Sequence, residues 1–145
     1  STGMIGGQVE DLAATGAAGD PDRLDRIHRA KTGALIAAAV ELGALLAGAG
    51  GGRRGEFREF GLRLGLLFQI ADDILDVTGP AARLGKSPGK DAAAGKLTYP
   101  SVHGIDAARA RLAELTRELA AQADALEGGN GVLRQLVEYV GRRDR

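Results

Sequence analysis

The chain has 145 residues, within the size range of a single domain. Nineteen basic residues balance nineteen acidic ones, so no net field argues for nucleic acid or an anionic membrane as partner. There is no Cys, which excludes disulfides and thiolate metal sites and fits a reducing cytoplasm.

The opening Ser1-Thr2-Gly3-Met4 carries no capping pattern and leads into Ile5-Gly6-Gly7-Gln8-Val9 as if entered partway through an element. A short helix is expected from about Ile5 to Ala14, broken at Gly16 to Gly19. Asp20-Pro21 then reads as an N-cap followed by Pro at the first helical position. One long helix is expected behind it, to about Ala47, stopped by Gly50-Gly51-Gly52. A third runs from about Glu56 to Val77, ended by Gly79-Pro80. An irregular stretch rich in Gly, Lys and Pro fills Ala81 to Pro100. Ile105, Ala108, Leu112, Leu115, Leu119, Ala123 and Leu126 then recur at helical spacing, and Asn130 opens a last helix. No strand alternation and no apolar run long enough to cross a membrane is found, so the fold class is all-α. With three Phe, two Tyr and no Trp, aliphatic residues must fill the core.

The third helix carries the chemistry. Leu66, Leu67, Phe68, Ile70, Ala71, Ile74, Leu75 and Val77 leave little of its circumference polar, yet Gln69, Asp72, Asp73 and Asp76 share one face. No Lys or Arg stands three or four positions from these carboxylates, where a helix would supply a partner. A divalent cation relieves their repulsion, and oxygen-only ligands favour Mg²⁺, with Mn²⁺ as the alternative. A plainly solvated acidic face is the competing reading, and the apolar flanks argue against it.

In the second helix Leu24, Leu35 and Leu42 fall on one line at 100° per residue, and Lys31 lies on that line. A lysine there either snorkels to the surface or meets an anion. The loop adds Lys86, Lys90 and Lys96, each preceded by glycine. Glycines let backbone approach a ligand and lysines neutralise phosphate. The pattern lacks the Gly-Lys-Ser/Thr ending of a P-loop and follows no strand. An acidic face, a lysine in an apolar stripe and a lysine-bearing loop together describe a site for Mg²⁺ bridged to a diphosphate.

These residues resemble a known family. Phe68-Gln69-Ile70-Ala71-Asp72-Asp73-Ile74-Leu75-Asp76 is similar to the second aspartate-rich motif of trans-isoprenyl diphosphate synthases, the polyprenyl synthetases that include farnesyl and geranylgeranyl diphosphate synthases. Leu84-Gly85-Lys86, Gly89-Lys90-Asp91 and Gly95-Lys96-Leu97-Thr98-Tyr99-Pro100 resemble the loop that follows it. Ile27-His28-Arg29-Ala30-Lys31-Thr32-Gly33 resembles the family's Lys-Thr helix, and Gly7-Gln8 with Asp11 its Gly-Gln motif. Four motifs in family order cover nearly the whole chain.

The resemblance implies the C-terminal helices of the isoprenoid-synthase fold and a prenyltransferase that joins an allylic diphosphate to isopentenyl diphosphate. It implies Asp72 as ligand to Mg²⁺, with Asp73 and Asp76 as further or outer ligands. Lys31 and Lys86 would bind the diphosphate, with Lys96 and Asp91 supporting the loop and the metal's waters. Thr32 and Gln69 would sit near the developing carbocation, and Gln8 and Asp11 would face the cavity.

The chain also departs from the family. No second Asp-Asp pair, no counterpart of the first aspartate-rich motif and no arginine cluster for the homoallylic substrate are found. The expectation is therefore the C-terminal portion of the domain, inactive alone. It would be a fragment, one subunit of a split enzyme, or a diphosphate-binding or regulatory module. A homo-oligomer or the complementary N-terminal half is expected to cover the apolar segments Leu35–Leu46 and Leu64–Leu75.

Overall fold

A computed structural model describes residues 3–16, 19–78, 95–128 and 131–143. Helix α1 is Met4–Ala13 and α2 is Pro21–His28, which continues through a π-helical turn at Arg29–Gly33 into α3, Ala34–Leu46. Helix α4 is Gly51–Thr78, α5 is Tyr99–His103, α6 is Ile105–Glu127 and α7 is Val132–Gly141. No strand is present among the described residues, as the helical periodicity requires. None of their helices is long and apolar enough to cross a membrane. Lys86, Lys90, Asp91 and the stop at Gly79-Pro80 lie outside the described residues, as does Asn130.

Asp20 caps α2 as expected, its carboxylate accepting the N–H groups of Asp22 at 3.0 Å and Arg23 at 3.2 Å. Three boundaries differ from expectation. Helix α4 starts inside the glycine run, at Gly51, not at Glu56. Its first turn is held from outside: Arg53 donates to the carbonyls of Ala125 at 3.1 Å and Leu126 at 2.7 Å, the otherwise unpaired C-terminal end of α6. The stretch read as irregular to Pro100 instead begins a short helix at Tyr99, nucleated by a reciprocal Thr98–Ser101 capping box.

The third difference is the π turn. In an unbroken α-helix Leu24, Lys31, Leu35 and Leu42 would share one buried line. The buried positions instead run His28, Gly33, Ala37 and Ala44, with a five-residue step across the turn. The extra residue rotates everything after it. Leu35 is therefore 57% exposed, and the single buried line expected through Lys31 is broken at the turn.

Helix α4 lies at the centre. One side buries Phe60, Leu64, Leu67, Ile70 and Ile74 against Leu112, Leu115 and Leu119 of α6 and Val137 and Val140 of α7. Each such side chain contributes about 1.5–3 kcal/mol by leaving water. The cover expected over Leu64–Leu75 from a second chain or the complementary half is supplied on this side within the chain, by α6 and α7. The opposite side takes α3 and the π turn at close range. A Cβ on Gly61 would lie 2.5 Å from the Cα of Ala37, and one on Gly65 would lie 2.5 Å from the Cα of Gly33. The outer face of α3 is uncovered, with Leu35, Leu42, Leu45 and Leu46 exposed. A smaller cluster of Ala14, Leu24, Ile27 and Leu97 ties the end of α1 to α2 and to the segment before α5.

Candidate functional site

The π turn, the C-terminal third of α4 and the segment before α5 converge. Between them lies a cleft of about 250 Å³ lined by Asp11, His28, Lys31, Gln69, Asp72, Asp73 and Lys96, with Ile27, Leu97 and Thr98. Most of the described residues singled out by the sequence meet here, although Lys31 and Asp73 are separated by 42 positions.

Lys31 is fixed by α1. Its ammonium donates to the Asp11 carboxylate at 2.8 Å, and the Asp11 side chain is nearly buried. The approach is possible because Gly7 has no side chain: a Cβ there would stand 2.4 Å from the backbone nitrogen of Lys31. Glycine and acid, one helical turn apart, thus set the lysine's height and hold its charge. Thr32, next along the π turn, donates its hydroxyl proton to the Gln69 side-chain carbonyl of α4 at 2.5 Å. This contact crosses the two elements that carry the cleft.

The three aspartates of α4 do not form one solvated cluster. Asp72 is exposed at the cleft, Asp76 is half-buried, and Asp73 is only 7% exposed. Asp73 accepts the backbone N–H of Tyr99 at 2.7 Å and lies 3.6 Å from Nε2 of His28. Asp72 lies 3.8 Å from the guanidinium of Arg143, which also stacks over the Phe68 ring at 4.7 Å. No Lys or Arg stands within a helical turn of these carboxylates, but Arg143, distant in sequence, reaches Asp72 from where a search three or four residues away could not find it. Among the described residues no three His, Asp or Glu side chains converge closely enough to hold a metal by themselves. Asp91, expected among the ligands, and Lys86 lie outside them.

His28 is the residue that sequence reasoning passed over. Burial pushes its imidazole from the usual 6.5 down to about 4; Asp11 pulls it back up and Lys31 pushes it further down. The ring is therefore neutral at pH 7, and its Nδ1 is buried with no hydrogen-bond partner. A histidine three residues before Lys31, on the buried side of the same helix, was the available signal.

A second cavity adjoins the first. An apolar groove of about 340 Å³ is lined by Met4, Ile5, Gln8 and Val9 of α1 and by Lys31, Thr32 and Leu35. Lys31 belongs to both cavities. One side of it is polar and charged, the other hydrocarbon, so together they suit a ligand with an anionic head and an apolar tail.

Comparison with known proteins bears on the family and the fold. The polyprenyl synthetase family profile matches residues 1–138. Farnesyl diphosphate synthase of Escherichia coli is 44% identical over 99% of this chain and 49% of its own length. The chloroplastic geranylgeranyl pyrophosphate synthase of Capsicum annuum is 40% identical over 98% of this chain and 39% of its own. A solved geranyltransferase from Helicobacter pylori, complexed with magnesium and isoprenyl diphosphate, superposes with a TM-score of 0.80 at 29% identity. That match covers 95% of this chain and 45% of the other. The chain thus spans half or less of the length of these relatives.

Proposed function

Because the chain belongs to the polyprenyl synthetase family, we propose that it supplies the diphosphate-activating half of a prenyltransferase. The reaction would join an allylic diphosphate to isopentenyl diphosphate, in the reducing cytoplasm that a Cys-free chain suits. The observation that carries this reading is the paired cavity, in which Lys31 stands between a charged cleft and an apolar groove. An isoprenoid tail fits the groove and a diphosphate the cleft.

The carboxylate oxygens on this face of α4 suit a hard divalent cation. Asp72 and Asp76, with Asp91, would hold Mg²⁺, or Mn²⁺ in its place. The metal would supply charge neutralisation for a departing diphosphate. Lys31, Lys86 and Lys96 would donate hydrogen bonds to its remaining oxygens. Ionisation breaks the bond between the allylic carbon and the diphosphate oxygen, and the electron pair leaves with the diphosphate. The Thr32 hydroxyl donates its hydrogen bond to Gln69, so its oxygen presents lone pairs rather than a donor to positive charge developing nearby. Gln8 of α1 lines the tail's groove, and Asp11 acts by holding Lys31.

Positioning both substrates supplies much of the rate of such a reaction, and this chain carries one substrate's site. Turnover by the chain alone is expected to be undetectable. The exposed leucines of α3 call for a covering layer, either a second copy of the chain or the complementary half of the family domain. A non-catalytic diphosphate-binding subunit is the second reading, carried by the same cleft.

Calorimetry with Mg²⁺ and pyrophosphate tests the binding claim. Mg²⁺ alone should bind weakly, and more tightly when pyrophosphate is present. Asp72→Ala should abolish this coupling and Lys31→Ala should weaken pyrophosphate binding. Unchanged binding in Asp72→Ala would overturn the proposal.

A further inference from the structure

Adjacent aspartates on one helix are placed for different work. Both line the cleft, but Asp72 is exposed whereas Asp73 is only 7% exposed. Its Oδ2 accepts the Tyr99 N–H at 2.7 Å, a charge-assisted bond with most of the water excluded. Tyr99 is the first residue of α5, where backbone donors have no partner within the helix.

The donors of that first turn can be accounted for one by one. The Thr98 N–H is taken by the Ser101 hydroxyl at 2.9 Å, and the Ser101 N–H by the Thr98 hydroxyl at 3.3 Å. Pro100 has no N–H. The Tyr99 N–H remains, and Asp73 takes it. On its other side the same carboxylate oxygen lies 3.6 Å from Nε2 of the buried His28. Asp73 thus joins α4, α2 and the start of α5, and Lys96 stands three residues before that junction.

We infer that Asp73 is a positioning residue that completes the N-terminal cap of α5 and so fixes Lys96 at the cleft, rather than a ligand to the metal. The family resemblance implies a ligand role for both members of the pair; the burial and bonding of Asp73 assign it a different one. The function needs an oxygen acceptor at this point, with charge secondary. Asn supplies that acceptor and Ala does not, whereas a magnesium ligand loses its negative charge in either change. The part concerning Lys96 rests on the diphosphate reading above; the cap itself does not.

The test uses the whole chain and two readouts. Amide exchange at Tyr99 reports the cap. Protection should persist in Asp73→Asn and fall by about tenfold or more in Asp73→Ala, the change expected for ~1.4 kcal/mol of lost local stability. Calorimetry with Mg²⁺ and pyrophosphate reports the site. Asp73→Asn should bind within about threefold of the parent chain, while Asp72→Asn loses the metal dependence. Lys96→Ala should weaken pyrophosphate binding in the parent and in Asp73→Asn, and add little in Asp73→Ala, because the lysine is then no longer held. If Asp73→Ala fails to fold, the Asn variant still decides between anchor and ligand. Loss of metal coupling in Asp73→Asn equal to that in Asp72→Asn overturns the assignment, as does unchanged Tyr99 protection in Asp73→Ala. Should the parent chain bind no Mg²⁺-pyrophosphate, the functional reading fails and Tyr99 exchange still judges the cap.

Discussion

Helices α3 and α4 are both rich in leucine, and their fates differ. Leu67 of α4 is fully buried, while Leu46 of α3 is 80% exposed. The difference is not in their residues but in their neighbours: α6 and α7 close one side of α4, and nothing described closes the outer side of α3. The site lies at the seam between the closed and open sides, where the π turn, α1 and α4 meet. The closed side provides rigidity to Asp72 and Gln69. The open side leaves the apolar groove accessible.

Substitution on each side tests this division. Leu67→Ala should be the most damaging single change, costing about 2–5 kcal/mol in chemical denaturation. On the open side the loss should appear in association instead. Light scattering should find the parent chain as a dimer or larger, and Leu42→Glu with Leu46→Glu should lower that mass while helical circular dichroism is retained. A compact parent monomer with a sharp melt would mean that the open face needs no partner.

At the seam, pH should act through His28. Its folded value is about 4 against 6.5 unperturbed, so between those limits the unfolded chain holds a proton that the folded chain does not. The stability is complete above about pH 6.5 and is lost progressively as pH falls toward 4, by roughly 3 kcal/mol in all. Asp11 and Asp73 face the ring from the acidic side and burial outweighs the pull of Asp11, while the positive charge of Lys31 acts in the same direction as burial. Denaturation across this range should show the slope, and His28→Gln should flatten it; an equal slope in the variant would assign the effect to other groups.

Glycine to alanine should change sign between the two sides. At Gly65 a Cβ would meet the Gly33 backbone at 2.5 Å, so Gly65→Ala should cost about 1–3 kcal/mol. At Gly43, on the exposed face of α3, a Cβ meets nothing within 4 Å. Gly43→Ala should stabilise by about 0.5–1 kcal/mol through helix propensity. Thermal melts of the two variants decide; two changes of the same sign would deny the asymmetry. The smallest effect is expected at Arg143. Its pairing with Asp72 is worth up to ~1 kcal/mol, so Arg143→Ala should tighten Mg²⁺ binding by at most about fivefold, read by calorimetry. Weaker binding would make Arg143 part of the site rather than a competitor for Asp72.

Much of this was legible in the sequence because it is local. Helical periodicity gave the all-α class and the stripe of α6, and Asp20-Pro21 marked the start of α2. Gln69 and Asp72 stood out as a polar face on an apolar helix, Lys31 as a lysine on an apolar line and Lys96 as a lysine after glycine, and these residues line one cleft. What was not legible depends on distant contacts. Arg53 reaches the end of α6 and carries α4 back into the glycines, against their propensity. The π turn follows no sequence period, so residues after it moved off the predicted face. The partners of Asp72 and Asp73 are Arg143, Tyr99 and His28, all far beyond one helical turn.

The most direct test is prenyl transfer by recombined halves. This chain would be assayed with an allylic diphosphate, isopentenyl diphosphate and Mg²⁺, alone and mixed with the region of a family relative that precedes the matched part. The chain alone should give no product, the mixture should give prenyl-elongated diphosphate, and Asp72→Ala in the mixture should remove it. Turnover by the chain alone at the rate of the mixture, or undiminished product with Asp72→Ala, would contradict the assignment of this half as the diphosphate-activating one.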